Sequence, residues 1–278
     1  MYPVDKRRIR VVSADIDATL TWMGSGLSDL NRKAINDLQE AGILFGLASG
    51  RSYTDLKNYP EVWKLTKPVD FFIGLNGSSL YDRQTGKDEL FFEIERENIK
   101  RIVEEIDRLN LDSHIYVDGV TLFSKPSDHY HHIKKIGYRD IRLASDLSEM
   151  YEQNTSKILI NVKDEEMEAT KEHFRPILEE TGNTVKLIRT SPGAMEFVPA
   201  QANKFYALKK YCDRYAIPIE ETAAFGDTTN DNEMIEGAGL GVCMANGSQK
   251  LMEMSDIVCP AVTEDGLAKA FKDLGLSE

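Results

Sequence analysis

Two aspartates, Asp15 and Asp17, stand two residues apart where an apolar run breaks off, in the stretch RVVSADIDATL (Arg10–Leu20). Burying neighbouring carboxylates at the end of a hydrophobic strand is costly unless a cation or a shared proton relieves their repulsion. Three other polar clusters carry groups of matching chemistry: Ser49 in ASGR, Lys204 in NKF, and Asp227 with Asn230 and Asp231 in GDTTNDNEM. Taken singly, each has an ordinary structural reading. The acids can begin turns, Ser49–Gly50 is a common cap or loop pair, and Asp227, Asn230 and Asp231 can cap a helix and complement its dipole. Lys204 alone reads as a solvated charge, yet it falls near the start of an expected helix, where the dipole disfavours a cation, and such local conflicts mark places to look for function.

The surrounding elements decide whether these groups meet. Ile9–Ala14 is nearly continuous in apolar character, as expected for a strand buried on both faces. SDLNRKAINDLQEAG reads as a helix capped by Ser28 or Asp29, with Leu30, Ala34, Leu38 and Ala41 as its apolar stripe and Gly42 as its stop. ILFGLAS and VDFFIGL (Val69–Leu75) follow as strands. Strand, helix and strand over these distances mean parallel crossovers, and hence a layered α/β sheet. The alternation returns in NKFYALKKYCDRYAI (helix), TAAFGD (strand), DNEMIEGAG (helix) and LGVCMA (strand), then Ile257–Cys259 and a helical tail at Gly266–Leu274. In an open parallel sheet, functional groups gather at the carboxyl ends of the strands. The parsing therefore predicts three or four acids, a hydroxyl and a lysine facing one crevice.

The middle of the chain has another texture. RENIKRIVEEIDRLN and DEEMEATKEHFRPILEETG read as helices, and HIYVDGVTLF, SKILINVKD and TVKLIRTS as alternating or β-branched strands. Helices with hairpin-like strands suggest an α+β unit with an antiparallel sheet. The expected division is a discontinuous core, residues 1–82 and 190–278, with an inserted domain at 83–189. His129, His131 and His132 in DHYHHIKK lack a standard zinc spacing and read as a solvated helix or loop face, and Tyr116 and Phe123 read as packing.

Composition narrows the function. At 278 residues, 41% hydrophobic and 29% charged, the chain has ample material for a core, and a net charge of −12 argues against a general nucleic-acid binder. Acidity does not exclude an anionic substrate, since a local metal or lysine can invert the field inside one site. Cys212, Cys243 and Cys259 show no zinc or disulfide spacing, so a reducing compartment is the simplest reading. MYPVDKRRIRVV has no apolar run of signal-peptide length and no later segment reaches membrane-spanning length, so a cytoplasmic protein without membrane partners is expected.

The four clusters, in order, resemble the haloacid dehalogenase superfamily of phosphotransferases. DIDAT (Asp15–Thr19) is similar to its Asp-x-Asp-x-Thr motif, Ser49 to the second motif, Lys204 to the third and GDTTND (Gly226–Asp231) to the fourth. The insertion lies where the family carries its larger, C2-type cap. ASGR, GLNGSSLYD and EDGLAKAF resemble the Cof-type, or IIB, branch. The resemblance implies a Rossmann-like parallel-sheet core with an inserted α+β cap of C2B type.

It also implies an activity and roles. The expected protein is a Mg²⁺-dependent phosphatase acting on a small phosphorylated metabolite, a sugar phosphate foremost, through an aspartyl-phosphate. Asp15 would be the nucleophile and Asp17 the general acid and base. Mg²⁺ would be held by the Asp15 carboxylate, the Asp17 carbonyl and the Asp227 carboxylate, with Asn230 and Asp231 orienting these ligands. Ser49 and Lys204 would bind the phosphoryl group, joined by backbone N–H groups near Ala18 and Thr19, and Asn76 would lie at the crevice rim. A phosphomutase of phosphomannomutase type and a non-catalytic regulatory member of the family are the alternative readings; oligomeric state is left open. Two positions depart from the branch pattern. Ala18 stands where glycine is common, which would carry strain if φ is positive there. Phe205 follows the motif lysine where a small residue is common, and its ring could narrow the crevice or point into the core.

Overall fold

The computed structural model describes residues 9–22, 25–117, 120–136, 140–191 and 193–277. The expectations for residues 1–8 and for the turn at 118–119 fall outside them. The chain divides into two compact units, one built from the residues up to Leu90 and from Asn203 onward, the other from Phe91–Ala202.

Strands β1 (Val11–Asp15), β2 (Leu44–Ala48), β3 (Phe71–Gly74), β4 (Ser79–Asp82) and β5 (Lys87–Leu90) belong to the first unit. The second contains β6 (Ser113–Val117), β7 (Val120–Phe123), β8 (Ile141–Leu143), β9 (Ile158–Asn161), β10 (Val185–Ser191) and β11 (Ala194–Pro199). The chain then returns to the first unit for β12 (Thr222–Gly226), β13 (Leu240–Met244) and β14 (Ile257–Cys259).

The core sheet has eight strands in the order β14-β13-β12-β1-β2-β3-β4-β5. The six from β14 to β3 are parallel, and β4 and β5 close one edge as an antiparallel meander. All five residues of β1 and of β12 are buried, as strands covered on both faces must be. The chain builds outward from β1 in one direction through β2 and β3, and from β12 in the other. The β1/β12 boundary is thus the point where crossovers reverse, the place where open α/β sheets leave a crevice at the strand ends.

Helix Asp29–Glu40 starts as expected, with the Ser28 side chain accepting from the Asn31 amide. Its buried face differs from the expected stripe. Asn31, Ala34, Ile35, Leu38 and Gln39 are buried, whereas Leu30 is 57% exposed and Ala41 faces solvent. The partner decides this: the helix packs on Gly266–Asp273, and Asn31 Oδ1 accepts the Ala268 amide at 3.0 Å.

The second unit is an α+β domain with the sheet order β10-β11-β9-β6-β7-β8, antiparallel except for β7–β8. Helices Arg96–Arg108 and Met167–Glu180 supply Ile99, Ile102, Val103, Ile106, Met167 and Phe174 to one core with Ile115, Ile158, Ile160, Met195 and Phe197. The domain boundaries expected at 82/83 and 189/190 move to 90/91 and 202/203. Two ladders are responsible: β5 pairs with β4 and stays with the first sheet, while β11 lies between β10 and β9 and stays with the second. His129 stacks near His114 and Phe123 from helix Asp128–Ile136, with His131 and His132 exposed, and Phe123 is fully buried. No helix among the described residues is long and apolar enough to cross a membrane.

Candidate active site

Asp15 is the last residue of β1, and Asp227 follows the last residue of the neighbouring β12. The parallel register therefore sets the two carboxylates side by side. Asp231 enters from the turn after β12, and the three acids each offer an oxygen within 4.8 Å of the others. All three are buried. Lys204, the first residue of helix Lys204–Arg214, is completely buried and donates to Asp15 Oδ1 at 2.5 Å and to Asp231 Oδ1 at 2.6 Å. The lysine that sits against the helix dipole is thus held by two carboxylates. The side chain of Asn203 caps that helix by accepting from the Tyr206 amide.

One ammonium cannot balance three carboxylates. Burial pushes the Asp15 carboxyl upward against the pull of Lys204, with Asp231 and Asp227 adding to the rise. Asp227 is pushed up to about 7, first by burial and then by Asp231, although the Thr19 hydroxyl and Lys204 hold it down. Burial would lower the Lys204 ammonium, but Asp15 and Asp231 more than reverse that and keep it charged. Burial and mutual repulsion thus favour the protonated forms of Asp15 and Asp227, and a further cation would oppose that.

The oxygens differ in what remains open. Asp231 is saturated: Oδ1 takes Lys204, and Oδ2 takes the amides of Asp227 and Thr228, both at 3.1 Å. Asp15 Oδ2 and Asp227 Oδ2 accept no hydrogen bond among the described residues, while Asp227 Oδ1 accepts the Thr19 hydroxyl at 2.9 Å. The Asp17 carbonyl also accepts none among these residues. Two carboxylate oxygens and a carbonyl make an all-oxygen donor set of the kind Mg²⁺ takes. Asp231 is instead fixed as the group that orients Lys204 and the loop.

Asp17 is placed differently from Asp15. Its side chain is 56% exposed, and both of its carboxylate oxygens accept from Arg51 Nη2 at 2.8 Å. Arg51 also donates to the Tyr59 hydroxyl at 2.5 Å. The sequence reading included this arginine only as part of ASGR and gave it no role. Ser49, at the end of β2, is buried; its Oγ accepts the Arg51 amide at 3.2 Å, and its own proton goes to no acceptor among the described residues.

The loop after Asp15 corrects one expectation. The Ala18 and Thr19 amides, expected to cradle phosphate, are engaged inside the loop: Ala18 donates to the Thr21 carbonyl at 2.7 Å and Thr19 to Ile16 at 3.4 Å. A tight turn bridging Asp17 and Thr21 consumes them, and the Asp17 amide is the one without a partner among the described residues. Ala18 has φ of 65°, so the alanine does occupy the left-handed region that favours glycine. Asn246 clamps it there, donating from Nδ2 to the Ala18 carbonyl at 2.8 Å while its Oδ1 accepts the Val262 amide at 2.8 Å. Sequence reasoning passed over Asn246, which in MANGS looks like an ordinary turn residue.

Asn76 is not at a rim. It is 3% exposed, its amide donates to the Ser49 carbonyl at 3.1 Å, and its Oδ1 accepts from Asn230 Nδ2 at 3.3 Å. Asn230 also accepts the Thr228 hydroxyl at 2.6 Å, so these two asparagines tie the loop after β2 to the loop after β12. Leu75, Asn76 and Gly77 all have positive φ, at 52°, 55° and 93°. A β-carbon on Gly77 would lie 1.9 Å from the Asn203 carbonyl oxygen, so this turn sits directly on the helix start that carries Lys204. Such strain persists only where the surroundings over-determine it, which is common at functional sites. Phe205 points away from this crevice: its ring lies against Gly237, whose added β-carbon would come within 2.5 Å of it.

Comparison with known proteins identifies the family of the chain. A family model described as haloacid dehalogenase-like hydrolase matches residues 12–271. YkrA of Bacillus subtilis (strain 168) is 28% identical, covering 96% of this chain and 98% of its own length. The 5-amino-6-(5-phospho-D-ribitylamino)uracil phosphatase YitU of the same organism is 25% identical, covering 95% of this chain and 96% of its own. The HAD subclass IIB sugar phosphatase BT4131 shares the fold, with a TM-score of 0.79 at 20% identity over 96% of this chain and 99% of its own. With its parallel-sheet core and inserted α+β cap, the chain belongs to the haloacid dehalogenase-like hydrolases.

Proposed function

We propose that the protein is a phosphatase that hydrolyses a small phosphorylated metabolite, a sugar phosphate or related polyol phosphate, with Asp15 as nucleophile. The observation that carries this reading is the buried set of Asp15, Asp227 and Asp231 around the single ammonium of Lys204. The set is short of positive charge, and its open oxygens suit a hard divalent cation, so Asp15, the Asp17 carbonyl and Asp227 would hold Mg²⁺. When bound, Mg²⁺ would offset the charge of the phosphate dianion and of the attacking carboxylate.

An Asp15 oxygen would attack phosphorus in line with the ester oxygen, whose bond to phosphorus breaks as the aspartyl-phosphate forms. Asp17 would give its proton to the departing alcohol, then take one from the water that cleaves the acyl phosphate and restores Asp15. Arg51 fixes where the Asp17 carboxylate sits between these events. The Ser49 hydroxyl and the Lys204 ammonium would hold phosphoryl oxygens, joined by the Asp17 amide. Choice of leaving group would fall to the inserted domain. The phosphorylated ribityl compound in the name of YitU and the sugar phosphatase BT4131 support a polyol or sugar monoester.

The test is phosphate release from a panel of sugar phosphates and nucleotides, with Mg²⁺ and with a chelator, for wild type and Asp15→Asn. Metal-dependent release by wild type that falls to background in the variant is expected. No metal-dependent release on any substrate overturns the reading, and full activity in Asp15→Asn overturns the role of Asp15.

A further inference from the structure

At the other end of the core sheet, by the amino ends of β1, β2 and β3, lies a cavity of about 590 Å³. Its polar lining comes from Arg10, Asp70, Arg83, Gln84, Tyr211 and Tyr215. This volume is within the usual range of small-molecule sites. None of these residues takes part in the acidic crevice.

The groups left open here are mainly donors. Asp70 is already used on both oxygens, by the Phe45 amide at 2.9 Å and by Arg83 at 3.3 Å. Tyr215 donates to Asp82 at 2.7 Å. Arg10 makes one side-chain contact among the described residues, to Glu221 at 3.0 Å, and Arg83 makes only its contact to Asp70. A guanidinium has five N–H donors, so most of theirs remain available.

Tyr211 is the most telling member. It is 3% exposed, with its ring fixed between Phe71 and Tyr215 at centroid distances of 4.1 and 5.0 Å. Its hydroxyl makes no hydrogen bond among the described residues and is not fully enclosed, so it remains open to solvent. Burial, with Asp70 and Asp82 nearby, raises the phenol, so it stays a neutral donor.

We propose that this cavity binds a small, acceptor-rich metabolite anion, phosphorylated or carboxylated, held by Arg10, Arg83 and the Tyr211 hydroxyl. The site has a direct mechanical link to the acidic crevice. Tyr211 and Lys204 lie on one helix, seven residues and hence about two turns apart, so they share a face. An occupant that fixes Tyr211 acts on the same rigid element that presents Lys204 to Asp15.

The experiment is isothermal titration of pyrophosphate and of citrate into the metal-free full chain, as wild type, Arg83→Gln, Tyr211→Phe and Asp15→Asn. Binding of at least one anion to wild type is expected. It should weaken about 10-fold or more in Arg83→Gln and in Tyr211→Phe, the loss expected for a hydrogen bond to a charged group. Asp15→Asn should bind as wild type, because the crevice is not used. Pyrophosphate alone binding identifies a phosphate ligand, and citrate alone a carboxylate. Thermal melts without anion serve as the folding check, and both cavity variants should melt close to wild type. Absence of binding of both anions to wild type, unchanged binding in the two cavity variants, or lost binding in Asp15→Asn would each overturn the proposal.

Discussion

Replacing Lys204 with methionine removes the ammonium while keeping most of the stem's volume. The side chain is fully buried and contacts Asp15 at 2.5 Å and Asp231 at 2.6 Å, so the variant leaves three buried carboxylates with no cation between them. Breaking a buried pair from one side destabilises a protein by about 3–5 kcal/mol. The effect must depend on pH, because protonation can substitute for the lost cation. Asp15 and Asp227 are raised in the folded state, Asp227 to about 7 from an ordinary value near 3.8. Acids raised on folding contribute stability that is complete below their unfolded value and disappears as pH climbs through the folded one. Without Lys204 these folded values rise further, and the loss extends above pH 7. The deficit of Lys204→Met relative to wild type should therefore be small near pH 4 and approach about 3–5 kcal/mol near pH 8. For a chain of this size that corresponds to a Tm deficit of about 6–20 °C. Thermal melts of metal-free protein at several pH values measure it, and millimolar Mg²⁺ should recover part of the deficit at the alkaline end by mass action. An equal deficit at all pH values, or one under about 2 °C near pH 8, would refute the idea that one ammonium offsets this cluster.

Other expectations follow from the same contacts. Ala18→Gly should stabilise the protein by about 0.5–1 kcal/mol, since about 1–2 kcal/mol of left-handed strain is relieved against about 0.4–1 kcal/mol of added unfolded-chain freedom; a lower Tm would contradict it. Gly237→Ala should destabilise by about 1–3 kcal/mol through the Phe205 ring and recover in a Phe205→Leu background, which a double-mutant cycle by urea unfolding would show. Divalent-metal affinity should rise with pH up to about 7, with protons released on binding below that, because Asp227 must ionise to bind; calorimetry in buffers of different ionisation enthalpy reads this directly. Asp17→Asn should retain metal affinity while losing most turnover, as its carbonyl and not its side chain is the open donor.

The residues that end a strand were the legible ones. Asp15, Ser49 and Asp227 follow apolar runs whose identity as buried parallel strands is plain, and parallel strands place their ends together. Lys204 was legible as a conflict with its own helix dipole. What escaped depended on distant partners. Arg51 looks like any charge after a Ser-Gly pair until Asp17 is beside it. The Ala18 and Thr19 amides are lost to a turn closed by the Thr21 and Ile16 carbonyls, which no residue type in DIDATL announces. Leu30 faces outward because helix Gly266–Asp273 selects the Asn31 face. AMEFVP escaped as a strand because Glu196 interrupts its apolar character, and in the fold that glutamate is buried against Lys157 at 2.9 Å.

The pairing of β1 with β12 also bears on how the protein is made. Asp15 and Lys204 are 189 residues apart in sequence, and Thr19 and Asp227 are 208. A ribosome therefore extrudes the strand that carries Asp15 long before its neighbour on one side exists. At about 5–20 residues per second the wait is some tens of seconds at the slow end. Throughout it, VVSAD can pair with β2 but presents its other edge, apolar and unshielded, to any passing strand. Residues 91–202, contiguous in the chain, can meanwhile complete a sheet of their own. Emergence of β12, not of the first motif, is then the step that completes the pairing of β1, and chaperone demand should concentrate on the interval before it.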